Sequence, residues 1–451
     1  MLILLDTHTQ QIVSMIKNTP SISPCPPGPP TRLVATQDGR SPIDVLQELA
    51  DTYGDVVRYQ TRFGTFTLVN DPQLASDVLN SHDYVRSNHS PLKTILGNGL
   101  LVTDGPAWQR TRQSVLPEFT PARISRLAGL FRDVTIEETN RLSADPRELN
   151  FSDLMNRIAL SNITRPMFNC DLGDEFLKPF SLVLQQLGEI TNSAVFGLPL
   201  IRGPQANKEF KIAMMTIEGI VSDLTQKHEA RQMPFLSSIC EAFKNNDAKT
   251  VEKQLRDEVL SFVIAGHETT AVSMSWFWYA ILSHPEVMQK FYDEVDHILQ
   301  GKPITIEDVP RLAYTQQILN ETLRLYPAIW MISRTAIGKS KIGGYPIPAD
   351  SNVVVSPYII HRRPESWNNP HQFDPDRFRH ESAERNRAFI PFLTGRHICI
   401  GKHFALLEAV IVAATLAQQF RFRPAASLSE DFLPLLSLRM RQPFMIQLES
   451  R

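Results

Sequence analysis

Cys399 stands in the run Phe392-Leu-Thr-Gly-Arg-His-Ile-Cys-Ile-Gly401, which leads into the apolar, helix-patterned stretch Lys402 to Phe420. A cysteine at the mouth of a helix meets free amides and the positive end of the helix dipole, and both favour a thiolate. A thiolate is a ligand for a soft metal centre. Gly395 and Gly401 bracket the cysteine and leave room for a large flat group against the sulfur. Most lone cysteines are small buried hydrophobes, so the neighbours must decide.

Three further groups carry chemistry only in combination. Ala265-Gly-His-Glu-Thr-Thr270 sets a small-residue pair, an acid and two hydroxyls near the middle of the longest helical pattern, Val251 to Leu282. At ~1.5 Å per residue that helix spans roughly 45 Å and must cross the core. Gly266 weakens it by about 1 kcal/mol relative to alanine, and the threonine hydroxyls pull on backbone carbonyls. A flaw at midpoint predicts a bulge beside a site, where a ligand or O2 approaches the backbone and Glu268 with Thr269 holds a short proton path. A packing notch with a solvated glutamate would use the same residues. Trp108 and Arg112, four apart after Asp104-Gly-Pro106, can aim an indole donor and a guanidinium at one anion, or form an ordinary exposed pair. Glu321 and Arg324 are spaced for a helix salt bridge, a common arrangement.

The elements that must position these residues are mostly helical. Pro42 to Thr52, Asn70 to Leu79, several helices between residues 122 and 245, Pro285 to Leu299 and Arg311 to Leu325 all carry helical apolar patterns. Val56 to Tyr59 and Thr65 to Val69 alternate around Arg62-Phe-Gly64 and predict a hairpin. Ala328 to Thr335 and Val353 to Ser356 read as strands, and Pro434 to Leu438 with Phe444 to Leu448 as a final hairpin. The stretch from His82 to Gly105 is irregular, as covers over sites often are. Tyr358 to Arg387 is rich in loops and must be pinned by side chains.

Composition narrows the classes. The 451 residues carry 46 basic and 48 acidic side chains, a formal charge of -2, so no overall positive field draws nucleic acid. Four scattered cysteines exclude a disulfide scaffold. No window approaches the ~18 apolar residues of a membrane span, which predicts a cytoplasmic protein without a transmembrane anchor. Ile3, Leu4, Ile12, Val13 and Ile16 could share one face, for a membrane surface or for the protein itself. Six prolines between Pro20 and Pro30 make an extended entry segment, so residues 1-30 read as an N-terminal extension and 31-451 as the folded body.

In this order the motifs make the chain resemble a cytochrome P-450, a haem-thiolate monooxygenase. The pattern Phe-x-x-Gly-x-Arg/His-x-Cys-x-Gly is filled by Phe392, Gly395, His397, Cys399 and Gly401. Ala265, Gly266, Glu268 and Thr269 fill the oxygen-binding helix motif, Glu321 and Arg324 fill Glu-x-x-Arg with Arg377 completing a structural charge triad, and Trp108 and Arg112 fill Trp-x-x-x-Arg. Leu393 departs from the frequent glycine and His397 from the frequent arginine.

The resemblance implies a mainly α fold with small β-sheets (α+β), a single haem domain with a helix-rich and a β-rich lobe, of the soluble bacterial type. It implies haem b ligated by Cys399 and flanked by Gly266 and Phe392. The haem carboxylates would meet Trp108, Arg112, His397 and Arg334. Thr269 and Glu268 would deliver protons, and one oxygen atom of O2 would enter a lipophilic substrate, a fatty acid or terpenoid. Phe262, Ala265, Ile329, Trp330 and Leu436 are the expected substrate contacts. Electrons would come from a ferredoxin or flavodoxin with its NAD(P)H reductase, docked on Arg110, Arg396, Lys402 and His403. Alternatives are a peroxygenase, an oxidative-coupling enzyme, a haem sensor, and a structural zinc site built on Cys399 and His403.

Overall fold

The computed structural model describes residues 25–33, 40–86, 90–142, 148–197, 203–226, 232–380 and 385–451. The apolar face anticipated within residues 1–19 lies outside them. Helices dominate, and the strands are short: β1 (Val56–Thr61), β2 (Gly64–Val69), β3 (Tyr84–Arg86), β4 (Leu149–Asn150), β5 (Ile332–Ala336) and β6 (Ser340–Ile342). They continue with β7 (Tyr345–Ile347), β8 (Asn352–Val355), β9 (Phe420–Pro424), β10 (Phe432–Pro434), β11 (Leu438–Met440) and β12 (Met445–Ser450).

One five-stranded sheet, in the order β1-β2-β8-β5-β3, gathers distant parts of the chain. The expected β1–β2 hairpin forms, and β2 runs parallel to β8. β3 closes the edge against β5, with Arg86 directly opposite Arg334. The expected final hairpin does not form. Pro434 to Leu438 belongs to the separate β10–β11 pair, while β12 pairs with β9 and β4. Aromatic packing explains the choice: Phe151 meets Trp278, Phe422 and Phe444, each at a centroid distance of 5.7 Å. That cluster draws the last strand to β9 rather than to its neighbour in sequence.

The long helix crosses the core as expected, but in three parts. An α-helix, Ala248–Val263, passes into a π turn, Ile264–Glu268, and resumes as an α-helix, Thr269–Ser283. The second α segment is buried on nearly every side, from Thr270 to Leu282, and Trp276 stacks on Tyr326 at 4.3 Å. It packs against Phe151–Phe168 and Lys402–Gln419, the helix that follows the cysteine. Among the described residues no helix is long and apolar enough to cross a membrane.

The loop-rich stretch is held as its composition required. Arg324 grips Glu321 through Nε and a terminal nitrogen at 2.7 and 2.8 Å, and donates to the carbonyls of His361 (2.8 Å) and Pro370 (2.7 Å). Arg377 reaches Glu321 at 3.2 Å, and the Asp374 amide does so at 2.9 Å. Glu321 and Arg324 are wholly buried.

Candidate active site

The cysteine loop is a tight frame. The Cys399 amide donates to Phe392 O at 2.9 Å across a short 3-10 turn, Gly395–His397. Gly395 adopts φ 74°, and a Cβ there would lie 2.7 Å from Leu79 O, so the loop can turn here only with glycine. Leu393, where glycine was expected, also takes a positive φ of 60°. Gly401, at φ −85°, needs no such freedom. The Cys399 side chain stays exposed while the surrounding protein desolvates its sulfur. Burial pushes the thiol up, against Arg112 and the Gly401 amide, which favour the thiolate. Arg112 and the Gly401 amide are the groups that would steady a thiolate once a metal takes the sulfur.

Beside the loop lies a cluster of cations. The Trp108 helix, Gly105–Val115, starts at Asp104. The Trp108 ring meets the His397 ring edge-on at 4.5 Å, and Arg112 donates to Ile398 O at 2.9 Å. Arg334 and Arg86 face each other across β5 and β3, and Arg396 lies 3.5 Å from Asp104. Burial, then mutual repulsion, pushes Arg86 down to about 9, and burial pushes Arg334 down to about 10. Asp104 is the carboxylate among them, accepting from the Arg86 amide at 3.0 Å and the Gly105 amide at 2.8 Å. Burial opposes its charge, but these amides and His397, at 3.4 Å, hold its carboxyl well below the usual range. Burial also lowers His397.

The guanidiniums of Arg86, Arg334 and Arg396 share one carboxylate, and Arg112 stands beside the cysteine loop, so positive charge is in excess. Like charges directly opposite on paired strands are destabilising, and the buried Trp108 Nε1 and His397 Nδ1 have no hydrogen-bond partner. Buried donors normally find an acceptor. The cluster therefore fits the carboxylates of a haem whose iron is ligated by Cys399. Arg86, Asp104 and Arg396 were not read from the sequence as part of this group. Asp104 carried a signal as the residue ahead of Gly-Pro, and Arg86 lay in an aperiodic stretch with none.

In the π turn, Ala265 is exposed although the adjoining helix is buried, and Thr269 is half-buried. Thr269 Oγ1 donates to Ala265 O at 2.7 Å, the hydroxyl-to-carbonyl pull that accompanies such bulges. Gly266 is half-buried against a neighbouring helix. A Cβ there would meet Ile163 at 2.9 Å, so its missing side chain lets the neighbouring helix approach. Glu268 is also engaged. Arg439 donates to both carboxylate oxygens at 2.6 Å, and Ser437 adds its hydroxyl. Burial alone would raise this carboxyl, but Arg439 and Ser437 outweigh it and hold it below the ordinary range.

The expected substrate contacts divide. Ala265, Ile329 and Leu436 keep accessible surface. Trp330 does not: it is 1% exposed, donates to Leu435 O at 2.9 Å and stacks on Phe196. Phe262 is likewise buried between Phe119 and Phe235. Both are buried among aromatic neighbours. Of the expected docking cations, Arg396 is drawn inward, donating to Tyr84 O at 3.0 Å. Arg110 lies over the Phe243 ring.

Comparison with known proteins agrees with this geometry. The chain is 30% identical over 416 residues to cyclooctatin synthase of Streptomyces melanosporofaciens, covering 88% of this chain and 89% of that protein. It is 29% identical over 399 residues to cyclooctat-9-en-7-ol 5-monooxygenase of the same organism, covering 85% and 86%. To LUTEIN DEFICIENT 5 of Arabidopsis thaliana it is 27% identical, covering 84% and 69%. The family model described as Cytochrome P450 matches residues 25–448, and the chain belongs to that family of haem-thiolate monooxygenases.

Proposed function

We propose that this cytochrome P450 inserts one oxygen atom from O2 into a lipophilic, terpenoid-like substrate, by hydroxylation or epoxidation, using haem b and electrons from a separate ferredoxin or flavodoxin. The observation that carries the cofactor assignment is the buried cationic cluster with unpartnered donors beside the accessible Cys399. Arg86, Arg112, Arg334, Trp108 and His397 would meet the haem carboxylates. When bound, the thiolate-ligated haem supplies the oxygen activation.

The chain's own residues supply orientation and protons. Ala265, Ile329 and Leu436 offer apolar surface for a lipophilic ligand, and one relative's name makes it a 5-monooxygenase of cyclooctat-9-en-7-ol. The Thr269 hydroxyl would pass a proton into the site. Glu268 would recharge it only by swinging away from Arg439. Arg110, Lys402 and His403 would face an acidic electron donor, where charge complementarity chiefly raises the encounter rate.

The test is a panel of polycyclic terpenoid alcohols and fatty acids, screened for a low-to-high-spin shift and then for turnover with ferredoxin, its reductase and NAD(P)H. A cyclic terpenoid should shift the spin state and gain one oxygen. With Thr269→Ala, NAD(P)H consumption should continue while product falls and peroxide rises. Fatty acids alone shifting the spin state would overturn the substrate class, and unchanged coupling in Thr269→Ala would overturn the proton role.

A further inference from the structure

The first half of the long helix carries two adjacent acids that are wholly buried, Asp257 and Glu258. Neither faces the thiolate loop. Both are spent on the short segment Gly97-Asn98-Gly99-Leu100, which lies in the irregular stretch before the Trp108 helix. The Asn98 amide donates to Asp257 Oδ2 at 2.8 Å, and the Leu100 amide to Glu258 Oε2 at 3.0 Å. Gln254 ties the two together, donating to Glu258 Oε1 at 2.7 Å and to Asn98 O at 3.3 Å.

The segment is pressed onto the helix. Gly97 has φ +51°, and a Cβ there would lie 2.3 Å from the Asp257 carboxylate; one on Gly99 would lie 1.9 Å from Ser261 Oγ. Burying two carboxylates against backbone amides is costly unless the geometry is well satisfied. The purpose of that arrangement shows on the other side of the same residue. While the Leu100 amide is held by Glu258, the Leu100 carbonyl accepts from the Arg86 guanidinium, which also reaches Thr103 O at 3.4 Å. Arg86 is the cation set opposite Arg334 in the cluster beside Cys399.

We propose that Glu258 is a positioning residue: by holding the Leu100 amide it fixes the carbonyl on which the Arg86 guanidinium rests, and so places that cation against a haem carboxylate. The proposal rests on the haem reading of the cluster. It joins a carboxylate on the long helix to the cofactor edge through one residue, whose amide and carbonyl belong to consecutive peptide units. Without Glu258, Leu100 loses its anchor and the Arg86 head moves off the position from which it would meet a haem carboxylate. Asp257 anchors the neighbouring peptide. Arg256 locks that anchor, donating at 2.7 Å to Asp257 Oδ1 and at 2.6 Å to Ile95 O.

The experiment measures the rate at which holoprotein loses haem to excess apomyoglobin, followed at the Soret band, together with the haem midpoint potential. Arg86→Ala should accelerate haem loss about tenfold, the range of one charge-assisted hydrogen bond. Glu258→Ala should do nearly the same and should add less than about twofold in an Arg86→Ala background, because the two act through one contact. Both variants should shift the midpoint potential in the same direction. Glu258→Gln keeps one acceptor for the Leu100 amide and should show a smaller acceleration; it carries the test if the alanine variant does not accumulate with haem. If Arg86→Ala leaves haem loss unchanged, Arg86 does not meet a haem carboxylate and both the cluster assignment and the proposal fail for this residue. If Arg86→Ala accelerates loss but the Glu258 variants do not, or if the effects multiply fully in the double variant, the proposal alone is overturned.

Discussion

Two charged groups, one around Glu321 and one around Asp104, differ in one respect. Around Glu321 every charge is answered: Arg324 and Arg377 supply cations, and the remaining guanidinium hydrogens go to main-chain carbonyls. Around Asp104 the count does not close, because Arg86, Arg334 and Arg396 crowd one carboxylate while Trp108 and His397 keep unpartnered donors. A group complete in itself holds the fold. A group incomplete in itself is shaped for something that arrives. Both groups set guanidiniums against one carboxylate; the remainder distinguishes structure from binding.

The sharpest way to break this comparison is Glu321→Leu. Removing one partner from a wholly buried pair strands Arg324 and should cost about 3–5 kcal/mol, seen as a lowered urea midpoint with or without haem. Arg334→Leu should do the reverse. It relieves a like-charge pair, so the unfolding midpoint of haem-free protein should hold or rise, while haem loss accelerates roughly tenfold. If both variants lose stability alike in the absence of haem, the two groups do not differ as described.

A third buried carboxyl refines the contrast. Glu408, on the cysteine helix, accepts from Asn162 at 2.8 Å and stands beside Thr270 without any cation, and burial pushes it up to about 8. It is answered by keeping its proton. The folded-state value is raised above the ordinary 4.5, so its contribution is full below that value and is lost as pH rises through about 8. Glu408→Gln carries no proton to lose. Relative to the parent, it should gain roughly 4 kcal/mol between pH 5 and pH 9, about 1.4 kcal/mol for each pH unit below 8, read from melting temperatures across that range. A flat difference would show that Glu408 ionises freely.

Much of this was legible from spacing, because the motif residues act close to their own helix or loop. Cys399 with its glycine, the Trp108–Arg112 pair and the flaw at Ala265–Thr270 all announce themselves locally. What sequence could not show depends on partners far along the chain. Glu268 reads as a free acid until Arg439, 171 residues away, is seen to take both oxygens. Gly266 reads as space for a ligand until Ile163 is seen to fill it. Trp330 follows a proline in an apolar run that does line accessible surface, yet its own indole turns inward. The last strand chose β9 because an aromatic cluster, not a turn, set its partner.

The π turn at Ile264–Glu268 has a consequence for what comes after it. A π turn is a surplus residue in an otherwise regular helix, and one residue is about 100° of rotation. The wide turn takes up that surplus, so the acidic half that holds Leu100 and the aromatic half from Trp276 to Tyr279 keep one register on a single rod. Deleting one residue within Ile264–Glu268 would restore an ordinary helix with Glu258 still on the Leu100 amide and Trp276 still on Tyr326. What would be lost is the opened turn that exposes Ala265.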